Sequence, residues 1–543
     1  MANAEPGVRY EIEERDEAGN VVATYISDEG GQRVDVIGKQ QQPQDAKGYA
    51  QRVLDVFLPA GYPHSVTEDY IQYQIYDSLQ AFSSSIASML ASRAVLEGKL
   101  RFQLFRVHVW IDVVQSRSFS QSICRYGVNS VPASGLWGGL GAARLDRPFR
   151  NHVPFLPVAA CGKIADEHPC TFINRLAGVG VGDANASPTA ALLLSVLQDS
   201  MGRTATILFA DRLGTAFEPE CKMYRFTADI LNDTGMVLEC LSPAFPKPIR
   251  VCVLSCSSVL RSLCGVCAGS AKASLSAHFA RKGNLGEVNA KDSSQETVIS
   301  LLGMLAGSVV VSWISSPMAT WSTLIGLLAI HLATNYAAVR AVSMRCLNRQ
   351  RANILFSRLL EHGQLLSPLE VSRRERVFEH DGVLRWSDDM AIGYCRIGVS
   401  LQTLLSHMGL RNARTGSLHL RGAEISELLH VFVDEAYILW PASSAGHFLI
   451  VLKEGCTPMD QLKAWAHALL LAKGYSLPGA KSVVDQTSLA GNRLADVRRT
   501  LADTRTMFEK YSGAMRDAGW DLNIAALETL GGTRVKMKRH QKR

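Results

Sequence analysis

The sequence predicts a mainly α-helical protein: a helical, membrane-associated domain with a central helical hairpin, followed by a small α+β C-terminal domain. Three observations predict it. No Asp, Glu, Lys or Arg occurs from Val298 to Val339. Hydrophobic residues make up 47% of the chain but aromatics only 7%, so Ala, Val and Leu carry the apolar content, and they suit helices. From about residue 365 the charge density rises, and short β-branched runs alternate with amphipathic stretches.

Taken in order, residues 1–50 are polar, rich in Asp, Glu and Gln, and expected to form a weakly ordered lead without the character of a secretory signal. Residues 51–365 are expected to form the helical domain. Within it, 184–197 is apolar but short, and 251–271 is long enough to span but is split by Arg261; either segment suits a core helix or one lying against a bilayer. In the uncharged run, Ser315-Ser316-Pro317 separates two helices, 298–314 and 318–339, giving a candidate transmembrane hairpin over 298–339. A bilayer core takes about 20 apolar residues per helix, and an open chain crosses it only as helix. Arg340, Arg345, Arg349 and Arg351 follow at once, which favours a cytosol-like side for that end. Ser, Thr, Gly, His331 and Asn335 dilute the run, so a buried hairpin inside a large soluble protein is the competing reading. A mean hydropathy of +0.05 argues against a chain that is mostly transmembrane.

Residues 366–530 read as the α+β domain. Strands are expected at 437–440 and 447–453 around a turn at 443–446, then helices at 461–473 and 494–516. Residues 531–543 form a basic tail, read as solvated or as attracted to anionic headgroups.

The net charge of +7 is modest, and no compact basic domain points to nucleic acid. The twelve cysteines are scattered through apolar runs, which suggests reduced thiols in the cytosol or an organelle interior. Cys264-Gly-Val-Cys267 has no second pair or His partner at zinc-finger distance and reads as buried structural thiols. Gly178-x-Gly180-x-Gly182 lacks a Walker lysine and reads as a packing or turn element. No nucleophilic triad, HExxH or paired-carboxylate signature appears, so no enzymatic activity, cofactor or metal is expected. The candidate binding residues are polar groups on apolar helices. Asp77 and Gln80 lie at i, i+3. Asp229 and Asp233 lie at i, i+4 with Asn232 beside them. In Lys291-Asp292-Ser293-Ser294-Gln295-Glu296, Asp292 shares a face with Glu296 and Lys291 with Gln295 if the helix continues. An unpaired buried polar group costs about 1–3 kcal/mol. These groups therefore either bond one another and lock packing, or line a ligand or ion site in which Lys291 meets an anionic group such as phosphate.

Several motifs, in order, carry a resemblance. Phe57-Leu-Pro59-Ala-Gly61-Tyr62-Pro63 leads into Ser65-Val66-Thr-Glu-Asp69-Tyr70 and Tyr73-Gln74-Ile-Tyr-Asp77-Ser-Leu-Gln80-Ala81. Later come Arg225-Phe-Thr-Ala-Asp229, His278-Phe-Ala-Arg281, Lys291-Asp292-Ser-Ser-Gln295-Glu296, Asn335-Tyr336-Ala-Ala-Val339-Arg340 and Asp517-Ala-Gly519-Trp520. Together they resemble the root UV-B sensitive (RUS) family over about 55–365, with weaker similarity to about 525. One departure is large. The family's A-V-L-x-G segment runs almost directly into G-V-G, whereas here Ala94-Val-Leu-Glu-Gly98 and Gly178-Val-Gly180 lie far apart. The atypical insertion 99–177 reads as a translated, unspliced intron, since Gly98-Lys99 accommodates a splice donor and Ala177-Gly178 an acceptor; a lineage-specific loop is the alternative. The resemblance implies a non-enzymatic membrane protein, intracellular or organellar, that meets membrane lipids, a related family member or a second copy, and a small-molecule ligand. For plant members it implies association with UV-B response, auxin distribution and vitamin B6 homeostasis. A carrier for a small anionic metabolite and a pyridoxal-phosphate-binding protein or enzyme are the alternatives.

Overall fold

The computed structural model describes residues 11–15, 21–27, 34–38, 57–97, 188–281, 283–387, 389–411, 417–420, 425–442, 446–476, 486–529 and 531–536. The insertion, the glycine motif at 178–182, the turn at 443–445 and the end of the basic tail lie outside them. The chain is mainly helical, with a helical core and a small C-terminal sheet.

Residues 11–38 were expected to be weakly ordered, yet they contain three strands: β1 (Glu11–Arg15), β2 (Val21–Ser27) and β3 (Val34–Gly38), paired antiparallel in that order. Runs such as Val21-Val22-Ala-Thr-Tyr-Ile26 and Val34-Asp-Val36-Ile37 have the β-branched texture of strands, which overrides the polar average.

Six long helices build the helical core: α1 (Tyr70–Glu97), α2 (Pro188–Leu213), α3 (Cys221–Leu241), α4 (Lys247–Phe279), α5 (Leu285–Trp313) and α6 (Pro317–Ala341). The hairpin is α5–α6. Ile314 ends the first helix, Ser316 caps the second by accepting a bond from the Ala319 amide (3.2 Å), and Pro317 takes its first position. The hairpin's first helix starts earlier than expected, so the polar block 287–296 is its first half. Arg261 does not split α4, because its guanidinium bonds Glu239 of α3 at 2.7 Å and leaves the helix backbone intact. Three helices are thus long and apolar enough to cross a membrane: 248–279, 285–313 and 317–341.

α1 packs against both arms of the hairpin, and α3 and α2 flank α4. Gly303 and Gly307 let α5 approach α1 closely. A Cβ on Gly303 would lie 2.7 Å from Ser85 Cβ and 2.9 Å from the Phe82 carbonyl oxygen, and one on Gly307 would lie 3.1 Å from Met89. Because part of the obstruction is backbone, Gly303→Val is expected to cost about 2–3 kcal/mol, read as a lower melting temperature; an unchanged value would show that α1 and α5 do not pack this way.

The end of α1 and the start of α2 lie at the same end of the bundle. Arg93 near the α1 C-terminus donates to the last carbonyls of α5, at Val311 and Ile314, and α2 runs parallel to α4, with Ser258 donating to the Gln198 carbonyl at 3.2 Å. A short connection therefore suffices there. A chain with Gly98 joined directly to Gly178 is expected to fold and to melt within about 2 °C of the full chain; aggregation of that variant would show that 99–177 belongs to the fold.

The C-terminal core is a five-stranded sheet of β4 (Val383–Arg385), β5 (Ala391–Ile397), β8 (Tyr437–Pro441), β9 (His447–Lys453) and β10 (Arg534–Val535). The antiparallel β8–β9 hairpin is the one expected from the sequence, and β5 pairs parallel to β9. Between β5 and β8 lie α9 (Leu401–Ser406), the pair β6 (Gly409–Arg411) and β7 (Leu418–Leu420), and α10 (Ile425–Val431). The helices α7 (Arg349–His362), α8 (Pro368–Arg374), α11 (Pro458–Ser476) and α12 (Gln486–Asp517) cover the sheet. α7 packs with this core: Trp465 Nε1 donates to Asn353 Oδ1 at 2.9 Å, and Asn353 Nδ2 to the Val383 carbonyl at 2.7 Å.

His467 of α11 is fully buried. Its Nε2 faces the Val497 carbonyl (3.1 Å) and its Nδ1 the Tyr437 hydroxyl (3.1 Å). Burial pushes its pKa down to about 3. The unfolded chain takes up a proton near the ordinary value of 6.5 while the folded chain does not. Stability is therefore full above that pH and falls by about 1.4 kcal/mol per unit as pH drops from 6.5 towards 3. His467→Gln is expected to flatten that slope in pH-dependent melting; an unchanged slope would show that the acid sensitivity lies elsewhere.

Candidate functional site

α1, α3 and α6 present a chain of polar side chains to one another inside an otherwise apolar bundle. Arg225 of α3 is the hub. It donates to Asp77 Oδ1 (2.7 Å) and Gln80 Oε1 (3.0 Å) of α1, to Asp229 Oδ1 (3.0 Å) one turn along its own helix, and to the Tyr73 hydroxyl (3.4 Å). Gln80 Nε2 donates to Asp229 Oδ2 (2.7 Å) and lies 2.8 Å from His331 Nε2 on α6. His331 Nδ1 is 2.9 Å from Asp233 Oδ2, and Asn335 Nδ2 donates to Asp229 Oδ2. Asn232 Nδ2 donates to Asp233 Oδ1 (3.3 Å), and the Asn232 amide oxygen accepts from Arg261 of α4 (3.4 Å). His331 and Asn335 are each 1% exposed, and Asp229 and Asp233 5%.

Arg225 holds the Gln80 oxygen, so the Gln80 amide nitrogen faces Asp229 and His331. The imidazole itself lies between two carboxylates, Asp233 at 2.9 Å from Nδ1 and Asp229 at 3.7 Å from Nε2.

A second group lies at the end of the bundle nearest the C-terminal core. Lys272 of α4 is 2.6 Å from Asp292 and 2.8 Å from Glu296 on α5. Gln74 donates to Asp292 (2.9 Å), and Gln295 donates to the Phe57 carbonyl (2.6 Å) in the loop before α1. Lys291 is half-buried on the same helix. In the same region Asp69 accepts from the Ser343 amide (2.7 Å) and lies 3.0 Å from His278 Nε2. Burial alone would raise its pKa, but His278 and the Ser343 amide hold it well below the usual carboxylate range.

The nine residues singled out in the sequence thus fall into two places. Asp77, Gln80, Asp229, Asn232 and Asp233 meet in the seam, while Lys291, Asp292, Gln295 and Glu296 belong to the helix-end group. Sequence reasoning missed Arg225, His331, Asn335 and Lys272 as partners. Arg225 stands one turn before Asp229, and His331 and Asn335 stand at i, i+4 on the uncharged helix; that pairing was the available signal. Cys264 and Cys267 lie three positions apart on α4, the first half-buried and the second buried against α3. Among the described residues, no three His, Cys, Asp or Glu side chains converge as a metal centre would require.

Residues 43–132 and 169–363 match the profile of the vitamin B6 photo-protection and homoeostasis domain, and 364–529 match that of the root UVB sensitive protein C-terminal domain. "RUS family member 1" of Dictyostelium discoideum is 31% identical over 61% of this chain and 48% of its own length. "Protein root UVB sensitive 3" of Arabidopsis thaliana is 28% identical over 78% of this chain and 75% of its own, and "Protein root UVB sensitive 2, chloroplastic" 23% identical over 80% and 78%. The chain thus spans about half the length of the Dictyostelium relative and about three quarters of the Arabidopsis ones. No solved structure matches the chain.

Proposed function

The chain belongs to the root UVB sensitive family, and from that premise we propose that it is a non-enzymatic membrane protein that binds a small ligand in the seam between α1, α3 and α6. The observation that carries this reading is the inverted polarity of the helical domain. Charged and amide groups lie inside, while large apolar side chains face outward on α1, α2, α5 and α6: Leu193 is 64% exposed, Ile207 69%, Leu305 66%, Ile325 54% and Trp313 84%. Soluble monomers rarely expose contiguous apolar patches above a few hundred Å². Because the outward apolar side chains are spread over four helices, lipid suits them better than one protein partner, although a related family member or a second copy would also cover part of the belt. Ionisable groups inside a membrane bundle mark ligand or ion sites.

The sign of the seam works against the alternative of a carrier for a small anionic metabolite, since three carboxylates face one guanidinium. It works equally against seating the phosphate of pyridoxal phosphate there. At the helix end, Lys272 is already held by two carboxylates.

Alkaline carbonate extraction of membranes from cells making the full chain tests the membrane half; retention in the pellet is expected, and release into the supernatant would remove it. Pyridoxal phosphate serves as the probe for the ligand half. No aldehyde–lysine absorbance band is expected on mixing, whereas a band abolished by Lys291→Ala would replace this reading with a pyridoxal-phosphate protein.

A further inference from the structure

We infer that Arg340, Arg373 and Arg374 hold the phosphate of an anionic phospholipid where the outward face of α6 leaves the bilayer, so that the C-terminal core touches the membrane surface at that point. This rests on the reading of the helical bundle as membrane-embedded, and adds to it the class of lipid that the protein meets.

The first argument is the course of α6. Ile325, Ala329, Ala333, Tyr336 and Arg340 follow one another at helical spacing, and all are exposed. The stripe is apolar until it ends in an aromatic ring and a cation. A tyrosine at headgroup level, with an arginine reaching past it to water, is how a spanning helix meets the interface. Arg340 lies over the Tyr336 ring, its guanidinium carbon 5.9 Å from the centroid, and its Nη2 donates to the Arg373 carbonyl at 3.0 Å. The stripe of α6 therefore runs directly onto the end of α8.

The second argument is charge. Arg373 and Arg374 close α8 and are exposed, as Arg340 is. Among the described residues none of the three is held in an ion pair. The carboxylates nearby are already engaged. Glu370 lies near Arg373 and Arg374, but it accepts from the Ser367 amide (2.8 Å) and hydroxyl (2.9 Å) at the start of its own helix. Glu375 is buried between Lys222 and Arg351, and Asp389 pairs with Arg376. Arg374 gives one donor to the Glu370 carbonyl (2.7 Å) and keeps the others. Guanidinium forks of this kind match the oxygens of a phosphate, and basic clusters beside a spanning helix draw anionic headgroups.

The third argument selects a lipid over a soluble anion. Exposed apolar side chains border the arginines. Leu369 stands one turn before Arg373 on α8 and is 50% exposed, and Tyr336 and Phe378 are each 44% exposed. Phe226 joins those two rings, with centroids 5.8 Å and 5.6 Å away. A free phosphate needs no such margin. A phospholipid presents a phosphate and, just below it, acyl chain, which is the order in which Arg340 and the apolar part of α6 lie.

The test reads the melting temperature of the full chain in detergent micelles with added phosphatidylserine, phosphatidylcholine, inorganic phosphate or polyglutamate. Phosphatidylserine is expected to raise it by about 3 °C over phosphatidylcholine, and added salt to shrink the gain. Arg373→Gln combined with Arg374→Gln is expected to remove most of the gain, and Arg340→Gln added to them the rest. Arg498→Gln combined with Arg499→Gln, which removes the same charge from the exposed face of α12, is expected to keep it. Should the triple variant fail to fold, the double variant at the two exposed α8 positions carries the test. Equal gains from the two lipids, or a gain that survives the Arg373 and Arg374 substitutions, would overturn the inference. An equal gain from inorganic phosphate or polyglutamate would assign the patch to a soluble anion and overturn it as well. Carbonate extraction separates the two readings: a chain retained in the pellet without a phosphatidylserine gain removes this site alone, whereas release into the supernatant removes the membrane reading on which it rests.

Discussion

Arg225→Met is expected to cost about 3–5 kcal/mol or to prevent folding of the helical domain. Arg225 is the one guanidinium facing Asp77, Asp229 and Gln80, and its removal leaves those carboxylates buried without a cation. It also frees Gln80 to turn, so the bond from Gln80 to Asp229 is lost. Arg225→Lys is not expected to rescue: an ammonium has three donors and no planar fork, and cannot serve Tyr73, Asp77, Gln80 and Asp229 together. Adding Asp77→Asn to Arg225→Met is expected to recover part of the loss, because one uncompensated carboxylate disappears. Melting of the three variants in detergent measures this. A loss below about 1 kcal/mol for Arg225→Met would mean that the seam is hydrated and its ion pairs screened.

Glu375→Gln is expected to be nearly as damaging. Glu375, 6% exposed, receives Lys222 of α3 at 2.5 Å and Arg351 of α7 at 2.8 Å, so one carboxylate neutralises two buried cations and ties the helical bundle to the C-terminal core. Arg351 also donates to the Cys346 carbonyl (2.6 Å) and the Pro219 carbonyl (3.3 Å). Breaking a buried pair by removing one partner costs about 3–5 kcal/mol. Burial by itself would raise the Glu375 pKa, but Lys222 and Arg351 together bring it below the ordinary 4.5. Its contribution is therefore present above that pH and is lost as pH falls below it. The variant should lose stability at neutral pH and show a shallower acid slope. Limited proteolysis near residues 342–348 should accelerate; unchanged cleavage and melting would show that the two parts are held together by apolar contact alone.

Much of the architecture was legible because its signals are local. An uncharged run broken at Ser316-Pro317 can only be a hairpin of two helices, and β-branched runs flanking Gly446 can only be a strand pair. The partners in the seam were not legible. Gln80, Asp229 and His331 are about 150 and 100 residues apart along the chain, and only the register of three packed helices makes them touch. Asp77, Gln80, Asp229 and Asp233 were recognisable because helical spacing puts polar groups on one face of an apolar helix. His331 and Asn335 looked like dilution of an apolar run when they are its inward face. Lys291 drew attention by sitting in a dense polar block, yet that block is the polar end of α5, away from the seam. Arg261 seemed to break a helix because its partner, Glu239, lies on a different one.

In the membrane reading, the outward faces of α5 and α6 meet lipid while their inward faces hold the seam. Reconstituting the full chain in liposomes that carry a lipid-dissolved photoactivatable carbene reagent, then mapping the modified residues by mass spectrometry, tests it directly. Modification is expected at Leu301, Leu305, Ile325 and Ile330, which are about half exposed or more, and not at their buried neighbours Leu324 and Leu328. Equal modification of Leu324 and Ile325, or none on either helix, would contradict it.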